Sequence, residues 1–599
     1  MCGILGQLKF KNSINRENFE LMLSSLIHRG PDGFGLKGFE EDRVYLGHRR
    51  LSIIDLSDRA KQPISNENES LWLTFNGEIY NYKSLRKELI TKGHKFKSDS
   101  DSEVIIHGYE EWGVDCLNKL RGIFAFGIFD KNKKEIFLAR DHAGVKPLFY
   151  YQNENVFLFS SEPKAFFKCD SFRKELNKEA LNLYLAFGNV PGEYSIFKGV
   201  KKLLPGHYLK LSINSLTPKV VKYWELKYQP KISNKEEAIF KIKDKIEESI
   251  ELQTLSDVPV GSLLSGGIDS SIITSFLVKR LPYSLSTFSI GFDEKSSDES
   301  EYAKLIADSF QTDHIHKEIN ADIANSCLEE LISINEEPFH YNGLFPYLSL
   351  ANLVKNKGHK VVLGGDGADE LFAGYNWYDD FNNWYNQFAK PTYRQRLASI
   401  WRGEVLNRKD PISKYITYNG YLSSVLRDEI FGLNDSELIT SVISSNWNQN
   451  YSPVLNSQII DFHCFMPDHC LVKVDKISMA KGIEVRVPFL DIELIELVFS
   501  IDENLIYNNG EKKFLLKKAM KNYFPENMHI NRKKGFSSPI EKWKEEIIGN
   551  DAFSILINGA LVKNDIINGD ALIRNFNKMN SYDQLLLIGL EHWFKKWFQ

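Results

Sequence analysis

Along the first 210 or so residues, apolar and polar positions alternate in short runs separated by turn residues. That period of two is the mark of half-buried strands. The clearest runs are LWLTFNGEIYN (71–81), GIFAFGIFD (122–130), EIFLAR (135–140) and VFLFSS (156–161), with helical spacing at Glu17–Ile27 and Ser84–Lys92. Strands gathered ahead of a helix-rich remainder predict a separate α+β domain over 1–210. Residues 211–234 turn polar and lysine-rich around Pro218 and Pro230 and read as a linker. An amphipathic helix, KEEAIFKIKDKIEESIELQ, follows at 235–253.

Beyond it the pattern changes. VPVGSLLSGGIDSSIITSFLVKR (258–280) reads as strand, glycine-rich turn and helix. SLSTFSIGF (284–292), ESEYAKLIADSF (299–310), DHIHKEI (313–319) and HKVVLGG (359–365) continue the alternation, the last opening into DGADE (366–370). Alternating strands and helices predict a parallel sheet covered by helices, with a helical extension from about Trp377 to the end. Ligands of such sheets bind at the carboxyl ends of the strands, where both glycine-rich loops fall.

A length of 599 residues exceeds one core, which agrees with a multidomain chain (1–210, linker 211–234, 235–599). A net charge of -4 gives no reason to expect a nucleic-acid partner. No apolar run approaches the ~18 residues of a spanning helix, so no membrane partner is expected. Six cysteines without a C-x-x-C spacing suggest reduced thiols and a cytoplasmic location.

The chain opens MCGILGQ. Removing Met1 would leave Cys2 with both a thiol and an α-amine, whose reference pKa of ~7.7–8.0 suits it to take the proton of a thiol near ~8.5. SGGIDSS (265–271) offers backbone N–H groups and a helix start to phosphate, but lacks the lysine of a Walker loop. A plain Ser/Gly turn is the alternative. GGDGADE (364–370) places three carboxylates directly after a strand, either as a metal and substrate wall or as a solvated helix cap. Asn76-Gly77 alone would read as a hairpin turn. HCFMPDHC (463–470) has no structural-zinc spacing, and Trp377, Phe381, Trp384 and Phe388 share one helix face and read as core.

Taken together, HRGPD (28–32), RLSIID (50–55), NGEIYN (76–81), SDSEV (100–104), RDHAGVKPLFYY (140–151) and SSEPKAF (160–166) resemble the glutaminase domain of class II glutamine amidotransferases. The resemblance implies an N-terminal-nucleophile fold of layered antiparallel sheets, in which Cys2 attacks the carboxamide of glutamine. Asn76 and Gly77 would hold the oxyanion. Arg50 would pair with the α-carboxylate beside Leu51, Ser52, Ile53 and Ile54, and Glu78 and Asp101 would receive the α-ammonium.

SGGIDS is similar to the pyrophosphate loop of ATP pyrophosphatases. With GGDGADE and VKVDKISMAKGIEVRVPFLD (472–491), the whole chain resembles the glutamine-dependent asparagine synthetases. That resemblance implies an ATP site of Leu264, Ser265, Gly266, Gly267, Asp269, Ser270, Ile290, Gly364 and Gly365. It implies Mg²⁺ on Asp269 and Asp369, Lys476 against the β- and γ-phosphates, and Asp366 at the attacking ammonia. The substrates it implies are glutamine, ATP and aspartate, and it leaves a homodimer open. Two departures stand out. Gly364 replaces a usual serine, and EPFHYNGLFPYLSL (337–350) carries Tyr341-Asn342-Gly343 and Tyr347 where the family pattern has Asp-Ser-Ser and threonine. A relative acting on another carboxylate, such as a sugar uronic acid, is the alternative these residues leave.

Overall fold

The computed structural model describes residues 2–41, 43–340, 343–389, 410–508, 510–525, 528, 538–539, 542–543 and 551–599. Tyr341 and Asn342 lie outside the described residues.

Two antiparallel six-stranded sheets form the first half. One runs, in spatial order, Val200–Lys202, Phe149–Gln152, Val156–Ser160, Gly3–Lys9, Val44–Arg50, Gly33–Phe39. The other runs Lys219–Lys222, His207–Ser212, Glu135–Arg140, Gly122–Asp130, Leu71–Ile79, Ile64–Ser65. Their inner faces share one apolar cluster, in which Ile4, Leu46 and Phe159 of the first sheet meet Ala125, Phe129 and Leu138 of the second. Two strands at the edge of the second sheet carry sheet structure past residue 210 to Lys222, into the stretch read as a linker. Helices Glu103–Trp112 and Lys178–Phe187 were not expected from the pattern. Both carry unbroken buried runs, Glu103–Tyr109 and Ala180–Ala186, so apolar positions are not confined to one face and their period is blurred.

The second half is built on a parallel sheet in the order Asp313–Ile319, Ser286–Phe292, Val260–Leu263, Val361–Leu363, Glu484–Arg486. The amphipathic helix is found at Lys235–Gln253, capped by the Asn234 side chain. The last strand, three residues long, is too short to show a period. Because Val260–Leu263 and Val361–Leu363 are neighbours, the loops that leave their carboxyl ends are neighbours too. Among the described residues no helix is long and apolar enough to cross a membrane. The aromatic face of the helix Asn376–Trp384 is core, with Phe381 and Trp384 buried against Tyr415 and Ile443.

The halves meet through buried charge. Arg29 donates to the Cys2 carbonyl at 3.1 Å and pairs with Glu162 at 2.7 Å and with Asp475 of the second half at 2.8 Å. Burial alone would lower the Arg29 guanidinium pKa, but Asp475 and Glu162 more than offset that and hold it charged. Lys164 bridges Glu162 (2.8 Å) to Glu336 (3.1 Å), and Lys476 pairs with Glu336.

Candidate active sites

Cys2 is buried at the start of Gly3–Lys9, a central strand of the first sheet. Its backbone nitrogen donates to Asn76 Oδ1 at 2.8 Å, across the space between the sheets. Burial pushes the Cys2 thiol above its usual pKa, so it reacts as a thiolate only with a base at hand. Asn76 and Gly77 are not a hairpin turn. They lie inside Leu71–Ile79, paired with Ala125 and Phe124 of the adjacent strand. The Asn76 Nδ2 group is buried without a hydrogen-bond partner, a donor available to a developing oxyanion. Gly77 is required there, because at φ 153° a Cβ would come within 2.0 Å of the Ile123 carbonyl.

Arg50 ends the strand Val44–Arg50, and its guanidinium is held by the carbonyls of Asp55 and Ser57. The segment Leu51–Ile54 between them is pinned by Ser52 N–H to Asp32 at 2.8 Å and by Asp257 N–H to the Ile53 carbonyl at 3.0 Å. Asp101 accepts from Ile79 N–H at 2.8 Å, and burial pushes its carboxyl up to about 6. Glu78 is 3.3 Å from Arg486, a residue of the far parallel sheet. Burial, with Glu484 and Asp101 nearby, holds the Glu78 carboxyl well above the usual range. Sequence reasoning assigned no role to Arg29, although it lies within HRGPD, or to Arg486, since the carboxylates they meet, Asp475 and Glu78, are far away along the chain.

The second site is a cleft of about 430 Å³ at the carboxyl ends of the parallel strands. Leu264, Ser265, Gly266, Gly267, Asp269, Ser270, Ile290, Gly364 and Gly365 all line it, as do Asp366 and Asp369. The two loops touch, for a Cβ on Gly365 would stand 2.8 Å from that of Asp269. A Cβ on Gly364 would stand 3.0 Å from the Asp366 carboxylate, so the glycine gives that side chain its room. Lys513 lies between Asp269 (2.6 Å) and Asp369 (2.8 Å). Two hard oxygen donors that one cation can span fit the chemistry of Mg²⁺.

Burial raises the Asp366 pKa, opposed by Lys473, and pushes Glu370 up to about 7, with Asp369 adding to it. Glu370 accepts from the Tyr375 hydroxyl at 2.7 Å. A carboxylate poised near neutrality in a cleft is suited to proton transfer. Lys473, Tyr347 and Cys470 complete this wall, the ammonium 5.8 Å over the tyrosine ring. Cys470, the last residue of HCFMPDHC, therefore faces the cleft. Gly343 caps the helix Leu344–Asn356 at φ 84°, which explains the glycine.

Lys476 is placed differently from its expected role at the phosphates. It is buried on Glu336 between the domains and lines none of the cleft. It borders a void of about 20 Å³, with Phe149 and Val190 of the first half opposite. Along the helix Leu471–Ala480, Lys473 faces the cleft and Lys476, three residues on, faces the interface.

The family model described as asparagine synthase matches residues 241–598, and the one described as glutamine amidotransferase domain matches residues 1–224. Glutamine-hydrolysing asparagine synthetase 1 of Bacillus subtilis strain 168 is 34% identical over 563 residues, covering 91% of this chain and 88% of that protein. Synthetase 3 of the same strain is 30% identical, covering 89% and 86%. Amidase chry2 of Gibberella zeae is 30% identical, covering 88% and 86%. With two matched domains that hold a buried thiol in one half and a carboxylate-rich cleft in the other, the chain belongs to the glutamine-hydrolysing asparagine synthetase family of enzymes.

Proposed function

We propose that the chain makes asparagine from aspartate, with glutamine as nitrogen donor and ATP as the source of activation. In the first half Cys2 Sγ attacks the glutamine carboxamide, ammonia leaves, and water releases glutamate from the thioester. Asn76 Nδ2 and Gly77 N–H receive the oxyanion, and Arg50, Glu78 and Asp101 hold the amino-acid end. In the second half the acceptor carboxylate attacks the α-phosphorus of ATP, expelling pyrophosphate, and ammonia then displaces AMP. Asp269 and Asp369 would hold Mg²⁺, which neutralises phosphate charge when bound. Asp366 and Glu370 are placed to take the proton that the attacking ammonia loses. Lys473 offers a cation to the acceptor's second carboxylate. The 20 Å³ void beside Lys476 has room for one small molecule and suits a station for ammonia between the sites.

One observation carries this reading: the contact of the Gly365 loop with Asp269, which unites a glycine-rich helix start and three carboxylates in one cleft. The test is AMP formation with ATP, Mg²⁺ and ammonium across aspartate, glutamate and nucleotide-linked uronic acids. Aspartate is expected to turn over and the uronic acids, which lack the α-ammonium, to lag by ~10⁴-fold or more, since a site built for a buried charged group rejects analogues lacking it; glutamate, longer by one methylene, should lag by only ~10–200-fold. Consumption of a uronic acid with silence on aspartate would overturn the assignment.

Asp101 adds a pH signature. Its carboxyl, raised to about 6, is ionised above that value and neutral below it. An α-ammonium is bound by the ionised form. Glutaminase kcat/KM should therefore fall about tenfold per pH unit below pH 6, a limb that reports the free enzyme. Asp101→Asn should lower the plateau and flatten that limb; an unchanged limb in the variant would exclude Asp101 as its source.

A further inference from the structure

A group of metal-ligating side chains lies outside both sites, at the edge of the first domain. Glu67 comes from the loop before Leu71–Ile79, and His94 from the turn after the helix Tyr82–Thr91. His107 and Glu110 lie three residues apart on the helix Glu103–Trp112. One donor atom from each of the four falls within 4.8 Å of the others. His107 Nδ1 is 3.5 Å from Glu67 and 3.9 Å from Glu110, and His94 Nδ1 is 3.8 Å from Glu67 and 3.7 Å from Glu110.

These separations are too long for good hydrogen bonds. They are close to the ~3.3–3.6 Å between ligands of a tetrahedral ion with bonds of ~2.0–2.2 Å. His107 supplies a second observation. Its side chain is 1% exposed, and neither ring nitrogen has a hydrogen-bond partner. A buried imidazole left so is costly. An ion on Nδ1 would satisfy one nitrogen and orient the other.

The outer partners are also in place. Nε2 of His107 faces Glu103 at 3.6 Å, and Nε2 of His94 faces Glu111 at 3.5 Å. Carboxylates behind metal-bound histidines fix their tautomer and orientation. Glu67 is itself steadied by Lys95 N–H at 2.7 Å, and Glu111 by Lys92 Nζ at 2.9 Å.

We propose that Glu67, His94, His107 and Glu110 form a closed, structural site for a divalent first-row transition ion, zinc by its N₂O₂ donor set. Four protein ligands leave no open position, so the ion ties a loop, a turn and a helix together and takes no part in the chemistry. The competing account is two protonated histidines among carboxylates, with no ion.

The test uses the full-length, untagged chain at pH 8, where free histidine is neutral. It is stripped with chelator, reloaded with zinc or cobalt(II), and desalted. The expected result is one ion per chain, tetrahedral cobalt absorption, and a thermal midpoint that drops on chelation. Cys2→Ala should keep the ion, which excludes the nucleophile as its ligand. Glu67→Gln with Glu110→Gln, both at partly exposed positions that spare the buried histidine, should weaken binding at least ~100-fold. Glu111→Gln should weaken it ~10-fold. No stoichiometric ion, or an ion retained equally by the double variant, would overturn the proposal.

Discussion

Cys2→Ala should abolish glutamine-dependent product formation, by ~10⁴-fold or more, while synthesis from ammonium salts continues at the parental rate. The thiol belongs to the first domain, and among the described residues no cleft-lining one precedes Leu263, so the substitution leaves the second site whole. Asn76 would keep its place, because the bond it accepts comes from the backbone nitrogen of residue 2 and not from the thiol. Glutamate release and AMP formation, measured in parallel with glutamine and with ammonium, separate the two activities. Equal loss of both would mean that the thiol holds the interface together and would reject its role as nucleophile. The same measurement bears on Met1. Intact-mass analysis should show it removed from active enzyme, since an acylated nitrogen at Cys2 could not take the thiol's proton.

Asp269→Asn should produce the complementary failure, with AMP and pyrophosphate formation falling ~10³-fold and glutamine hydrolysis still measurable. The carboxylate sits at the first turn of the helix that follows the glycine-rich loop, and shares Lys513 with Asp369. Asparagine preserves the size of the side chain and removes its charge, so the loop contact at Gly365 is kept. Lys513 would turn wholly to Asp369, and the cleft would lose one of two hard donors. Raising Mg²⁺ should recover part of the rate if Asp269 holds the ion. A variant with parental pyrophosphate release, or one that yields ADP and phosphate in place of AMP, would reject this reading of the cleft.

Much of this arrangement is written locally in the chain, and some of it is not. Alternating patterns marked the long strands, and SGGIDS and GGDGADE marked both walls of the cleft, because each wall is a contiguous loop at the end of one strand. Lys476 shows the limit of such reading. Within one segment, Lys473 and Lys476 look equivalent, and three residues of helix separate a lysine on the cleft from one on the domain interface. Arg29, Arg486 and Lys513 were passed over for a related reason. Each gains its meaning from a carboxylate far away in sequence, at Asp475, Glu78 and Asp269 respectively. The metal-ligand group around His107 was missed likewise, as its donors come from three segments with no spacing rule to link them.

The charged lattice that joins the halves also bears on how freely such domains can be exchanged between proteins. Arg29, Glu162 and Lys164 come from the first domain, and Glu336, Asp475 and Lys476 from the second. A chimera that grafts this glutaminase half onto a partner lacking Asp475 or Glu336 would bury an arginine or a lysine short of counter-charge, at a cost of about 3–5 kcal/mol for each broken pair. The two catalysts are thus not interchangeable cassettes. A change of charge on one side of the seam calls for a matching change on the other.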